Sequence, residues 1–489
     1  MARRPAPDAP DRPRVTPRAR RRRRGRPVLV ALLCLGAGLA LAVAVAGAAP
    51  PDQPASGGAA LGTPGWSPRR VPQPFVDAVG GTRLQRQLDA GLGAGGGCFQ
   101  VTTAAGPVAG RNEDAPTVGA STQKLLTGAA ALAVLGPETT LRTRVLATGD
   151  PGDGTVDRLV LVGGGDPLLS TAPFRAFLAT DPKTAGTPST ALEGLADLVA
   201  AKGIRTVRAL SVVDDRYDDE RYNPAWSPTY RTDGQIGPVG ALTVNRGFTR
   251  ASPPVAADDP AVLAGTEFAR LLRERGVAVG GAVQRGRVPD GAREVAALDS
   301  APVAQLVAEV IRSSDNLASE TLVKEMGARK GGAGTTAAGL GVATRALADL
   351  GVPMTGVTLI DGSGLARDNR VTCRALTAAV DLGARPGLEP LWAGMAVAGQ
   401  TGTLADEMRG GPLDGRLRGK TGFLNGVSGL AGLVDVGRPL RFSLIATGSF
   451  GEAEALRIRA RLAEAIGRFP EAPAVDALVP APRAPTAAP

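Results

Sequence analysis

Histidine does not occur anywhere in this chain of 489 residues. That absence removes the usual proton acceptor of serine and cysteine nucleophiles. A nucleophilic serine here has to be served by lysine, a carboxylate or tyrosine. Lysine is scarce as well. Of 56 basic residues six are lysine, namely Lys124, Lys183, Lys202, Lys324, Lys330 and Lys420. The others are arginine, which stays protonated in proteins, whereas a buried lysine can give up its proton. Cysteine is limited to Cys34, Cys98 and Cys373. With no Cys-x-x-Cys pair and no histidine, a zinc site is not expected, and no cofactor is called for.

The net charge of +10 suggests nucleic acid until its distribution is read. Residues 1–27 hold eleven arginines against Asp8 and Asp11, which is +9 of the total and leaves +1 for the remaining 462 residues. No basic or aromatic nucleic-acid module follows the tail. Instead it runs into Val28 to Ala49, 22 residues without a charge, long enough to cross a bilayer as a helix. Arginines ahead of such a stretch hold the N-terminus in the cytoplasm. Ala46-Gly47-Ala48 offers a signal-peptidase site, so the segment reads as a signal peptide or a transmembrane anchor. Everything after residue 50 is then extracytoplasmic, at the cell surface or in the periplasm. There Cys98 and Cys373 could pair, but two isolated cysteines with mostly apolar flanks read first as buried thiols.

Residues 50–74 form a Pro/Gly/Ala linker, and the segment from Pro470 is a Pro/Ala-rich tail expected to be disordered. Between them the pattern predicts a helix near 75–90, a strand over 98–102 and an apolar helix opened by Ser121 and stopped by Gly136-Pro137. Residues 146–295 read as an inserted β-rich module of short strands with one helix over 261–275. Helices near 303–312, 317–327 and 336–350 follow, then a strand over 357–360. Three antiparallel strands (419–423, 427–434 and 441–446) and a helix over 452–467 close the pattern. The expected fold is α/β in the α+β sense, with helices on an antiparallel sheet. It comprises 75–145 and 296–469, interrupted by the insert.

Three strings carry the chemistry: Ser121-Thr122-Gln123-Lys124, Ser314-Asp315-Asn316 and Lys420-Thr421-Gly422. Ser121 and Lys124 are spaced i, i+3 and so share one helix face. Burial among apolar residues and a second nearby ammonium, Lys420, would lower the Lys124 pKa enough for it to serve as base. Alone, Ser-x-x-Lys is more often a helix cap with a solvated lysine, Ser-Asp-Asn a cap, and Lys-Thr-Gly an edge strand. Taken in order, on helix start, interhelix loop and strand, the three form a catalytic set for acyl transfer.

On these strings the sequence resembles the penicillin-binding serine DD-peptidases. It looks most like their class C low-molecular-mass group, the D-alanyl-D-alanine carboxypeptidase/endopeptidases. The gaps support the narrower likeness: 193 residues from Ser121 to Ser314 and 106 from Ser314 to Lys420. Asp361 to Leu365, Gly402-Thr403-Leu404 and Gly419 to Gly432 also look like that group. The resemblance implies the penicillin-binding/β-lactamase-like transpeptidase fold and cleavage of D-Ala-D-Ala in peptidoglycan stem peptides, with β-lactams as covalent inhibitors. Ser121 would be the nucleophile and Lys124 its base. Ser314 would relay a proton to the leaving amine, and Asn316 would hold Lys124 and a substrate carbonyl. Lys420 and Thr421 would meet the substrate carboxylate. Gly422 would permit close approach, and the N–H groups of Ser121 and Phe423 would form an oxyanion hole. Trp226 and Tyr230, from a cluster with Tyr217 and Tyr222, would wall the cleft or else pack locally. Two positions depart from the family pattern. Phe423 replaces a threonine or serine, and Gly119 stands where proline is common. A catalytically weak wall scaffold and a serine β-lactamase are the competing readings.

Overall fold

A computed structural model describes residues 73–93, 95–149 and 151–470. The arginine-rich tail, the apolar segment 28–49, most of the linker and the tail beyond 470 lie outside the described residues. Among the described residues no helix is long and apolar enough to cross a membrane.

The alternation near the C-terminus builds the central sheet. Strands β10 (Leu417–Leu424), β11 (Val427–Asp435) and β12 (Pro439–Thr447) pair antiparallel in sequence order. On one side β9 (Ala396–Val397) adds to β10; on the other, β1 (Gly96–Thr103) and β2 (Gly106–Arg111) complete six strands in the order β9-β10-β11-β12-β1-β2. Period-two burial sorts the two faces. Leu440, Phe442, Leu444 and Ala446 of β12 join one apolar cluster with α1 (Gln73–Leu92) and α9 (Glu452–Gly467). Ile445 of β12 belongs to the opposite cluster, built from α2 (Lys124–Leu135), α5 (Val303–Ser313), α6 (Asn316–Met326), α7 (Thr336–Asp349) and α8 (Cys373–Leu382). Helix α2 is buried nearly all round, as its unbroken apolar run requires. This agrees with the expectation of helices on an antiparallel sheet.

Between the first two strings the chain forms a second sheet. Its path is β6 (Ala278–Val279), β5 (Thr206–Val213), β4 (Thr155–Val162), β3 (Arg142–Thr148) and β8 (Arg293–Asp299), with β7 (Gln284–Arg285) also on β5. First strand β3 and last strand β8 are antiparallel neighbours, so the chain leaves and returns side by side. The segment is more mixed than a β-rich module. Strands β4 and β5 are parallel, and parallel neighbours need a crossover. That crossover contains α3 (Leu192–Ala201), which shares the sheet's apolar cluster with α4 (Pro260–Glu274).

Two expectations are corrected. Cys98 and Cys373 are not thiols but a disulfide, joining β1 to the first residue of α8. The expected strand at 357–360 reduces to one bridge between Thr358 and Arg370. The ladder stops there because the Asp361 carboxylate folds the chain back, accepting the N–H groups of Gly364 and Ala366 at 2.8 and 2.6 Å.

Candidate active site

Ser121 lies not in the apolar helix but in the 3-10 turn Ala120–Gln123 that precedes it, and Lys124 is the first residue of α2. Ala120 sits at φ +46°, an uncommon conformation for a residue with a Cβ. Packing enforces the turn. Gly422 on β10 passes so close that a Cβ there would lie 2.8 Å from Gly119 O, and a Cβ on Gly119 would lie 2.5 Å from Val371 Cγ2. Gly119 and Gly422 therefore let strand, turn and Val371 come together.

Lys124 is fully buried. Its Nζ contacts Ser121 Oγ at 2.8 Å, Asn316 Oδ1 at 2.7 Å and Ser363 O at 2.6 Å. Burial pushes its pKa down to about 8, against the opposing pull of Asp361, Glu320 and Asp315. Asn316, on the first turn of α6, is fixed at its other end by Nδ2 donating to Gln235 O at 2.7 Å. Asp315 caps the same helix, its Oδ1 accepting from Ala318 N, and pairs with Arg246 at 2.8 Å. Ser314 ends α5 in the left-handed region, φ +66°, which turns the chain between the two helices.

Lys420 is equally buried and donates to Thr421 O at 2.8 Å. Burial, then the nearby Lys124 and Arg459 cations, hold it well below the usual lysine range. Arg459 in turn pairs with Glu407 at 2.9 Å. Thr421 donates through Oγ1 to Thr403 Oγ1 at 2.9 Å.

A cavity of about 660 Å³ opens over this set. Ser121, Ser314, Asn316, Thr421, Phe423 and Tyr230 line it, as does Thr403. Lys124 and Lys420 lie beneath it. Trp226 does not belong to the wall. It is buried with Ile236, Val239 and Leu317, and its Nε1 donates to Asp361 Oδ2 at 2.8 Å. An indole among apolar neighbours needs one acceptor for its N–H, and the buried carboxylate supplies it. The local-packing reading applies to Trp226, whereas Tyr230 reaches the cavity.

Sequence reasoning passed over the residues that hold Lys124 from behind. In the sequence Asp361 and Ser363 stand out only within the family-like string Asp361 to Leu365, and none of the three catalytic strings points to Glu320. Glu320 is 2% exposed and accepts from Gly362 N at 3.0 Å and Ser363 N at 2.7 Å. Burial, with Asp361 nearby, pushes its carboxyl up to about 8. The available signal was spacing, since Asn316 and Glu320 are i, i+4 and share a helix face.

Known proteins resemble the chain over most of its length. A D-alanyl-D-alanine carboxypeptidase of an Actinomadura species is 33% identical, covering 80% of this chain and 87% of its own. A carboxypeptidase of Mycobacterium tuberculosis is 32% identical over 68% of this chain and 72% of its own. The crystal structure of penicillin-binding protein 4 from Haemophilus influenzae superposes with a TM-score of 0.67 at 19% identity, covering 78% of this chain and 99% of that one, which establishes a shared fold. The profile described as the D-Ala-D-Ala carboxypeptidase 3 (S13) family matches residues 87–253 and 250–468. By sequence over most of its length, and by fold, this chain belongs to that family.

Proposed function

We propose that the protein is a serine DD-peptidase that cleaves D-Ala-D-Ala in peptidoglycan stem peptides through an acyl-Ser121 intermediate and is inactivated by penicillin. The observation that carries the reading is the 2.8 Å contact between Ser121 Oγ and the Nζ of a buried lysine whose pKa lies near 8. Neutral Lys124 takes the Oγ proton as Oγ bonds to the penultimate D-Ala carbonyl carbon. The N–H groups of Ser121 and Phe423 receive the oxyanion. As the C–N bond breaks, the proton passes by way of Ser314 to the leaving amine, and D-alanine departs. Water then attacks the ester, and the proton it gives up returns to Ser121 Oγ.

Thr421 faces the cavity and is the contact for the substrate's terminal carboxylate. That carboxylate would also bring a negative charge next to buried Lys420, whose surroundings hold the cations Lys124 and Arg459 as well as Glu407. Phe423 brings a ring where a hydroxyl would serve the carboxylate. It favours a second reading of the specificity: slow release of free D-alanine, or a preference for cross-linked peptides. Residues 75–145 and 296–469 form the peptidase domain in this reading, with 146–295 inserted. The disulfide suits an oxidising, extracytoplasmic location, with 28–49 as signal or anchor.

Fluorescent penicillin and a D-Ala-D-Ala peptide test the proposal together. The wild type should take up one stable label and release D-alanine, and Ser121→Ala should do neither. Absence of label on the wild type would leave a non-catalytic scaffold, and rapid loss of label would indicate a β-lactamase.

A further inference from the structure

A neutral lysine has two N–H bonds and one lone pair. For Lys124 to accept the Ser121 proton, the lone pair has to face Oγ, so both hydrogens need acceptors elsewhere. Two are present: Asn316 Oδ1 at 2.7 Å and Ser363 O at 2.6 Å. The second is a main-chain carbonyl whose direction depends on the loop that carries it.

That loop is tied down along its length. Three successive carbonyls accept from neighbouring side chains at the start of α2: Asp361 O from Gln123 Nε2 at 2.6 Å, Gly362 O from Thr127 Oγ1 at 2.7 Å, and Ser363 O from Lys124. On the other side, Glu320 accepts the N–H groups of Gly362 and Ser363. Gly364 then turns at φ +83°, and a Cβ there would lie 2.1 Å from Ala120 O. The 362–363 peptides thus span the gap between the Glu320 carboxylate and the Lys124 amine. Glu320 stands one turn beyond Asn316 on α6, so a single helix sets both acceptors.

We propose that Glu320 is a positioning residue for the general base: it holds the Ser363 carbonyl so that the Lys124 lone pair points at Ser121. Glu320 touches neither substrate nor Ser121, and the proposal rests on the serine DD-peptidase reading above. The charged groups facing Lys124 are Asp361, Glu320 and Asp315, with Lys420 the opposing cation.

The test is the pH profile of penicillin acylation, measured on full-length wild type, Glu320→Gln and Glu320→Asp. In Glu320→Gln the amide keeps the size but brings its own N–H against those of the loop, and above about pH 8, where the wild-type carboxyl is ionised, it also removes a negative charge. Acylation should fall about tenfold or more at its plateau, a fraction of what a general base contributes. The loss should be fullest above about pH 8, where wild-type Glu320 is ionised, and smaller on the rising limb below it, where that carboxyl is largely protonated. Glu320→Asp keeps the charge but cannot reach both N–H groups. It should lose rate with its limb close to the wild-type position, and it carries the test alone if the Gln variant does not fold. A Gln variant with wild-type rate and limb overturns the proposal, as does an Asp variant with the full rate. A loss of the same size below and above pH 8 in the Gln variant would reduce Glu320 to a structural acid and also overturn it. Failure of wild type itself to be acylated would refute the peptidase reading, which is a different result.

Discussion

Raising the pH should accelerate acylation by penicillin until Lys124 is neutral, and no further. The magnitude follows from burial. At its ordinary value of 10.5, a lysine is neutral in roughly one molecule in 3,000 at pH 7. Held near 8, it is neutral in about one in ten. The site therefore gains about 300-fold in competent base, at a cost of about 3 kcal/mol carried by the fold. Because the neutral form is the active one, the second-order rate should rise about tenfold per pH unit below 8 and flatten above it. Stopped-flow acylation with a fluorescent penicillin between pH 6 and 9.5 reads this directly. Lys124→Arg, which cannot deprotonate, should be unreactive throughout. A flat profile, or a limb centred near 10, would refute the assignment of Lys124 as base.

Other perturbations test separate parts of the account. Phe423→Thr should speed release of free D-alanine by about tenfold or more, the worth of a hydroxyl bound to a carboxylate, as checked by D-alanine assay; an unchanged rate would argue against a role for the ring. Opening the bridge in a Cys98→Ser/Cys373→Ser variant frees a loop of 275 residues. By chain entropy that should cost about 5–6 kcal/mol, visible as a lowered Tm, and an unchanged Tm would contradict it. Gly364→Ala places a Cβ against Ala120 O at positive φ, so penicillin labelling should drop sharply. The Tm measured alongside shows whether the fold survives.

What could be read from the sequence followed from local signals. The strands around Lys420, Leu430 and Leu444 alternate with period two, and Leu125 to Leu135 can only be a buried helix. The three strings were legible because each carries its chemistry in adjacent residues. What escaped reading depends on long-range contact. Glu320 looks like any helix acid until the fold brings Gly362 and Ser363 to it. Trp226 looked like a cleft wall because nothing local shows its N–H reaching Asp361, 135 positions away. The Cys98–Cys373 bridge closes 275 residues, and no local pattern shows whether two such positions meet. The mixed second sheet escaped for the same reason, since pairing between β4 and β5 is fixed by a crossover rather than by a turn.

The central claim is that Ser121 is the nucleophile served by Lys124. Mass spectrometry of the penicillin-treated protein tests it most directly, by mapping the adduct to a residue. The expected result is one penicilloyl group on Ser121, absent from Ser121→Ala and from Lys124→Arg. An adduct on Ser314 or any other residue, or none on a folded wild type, would contradict it.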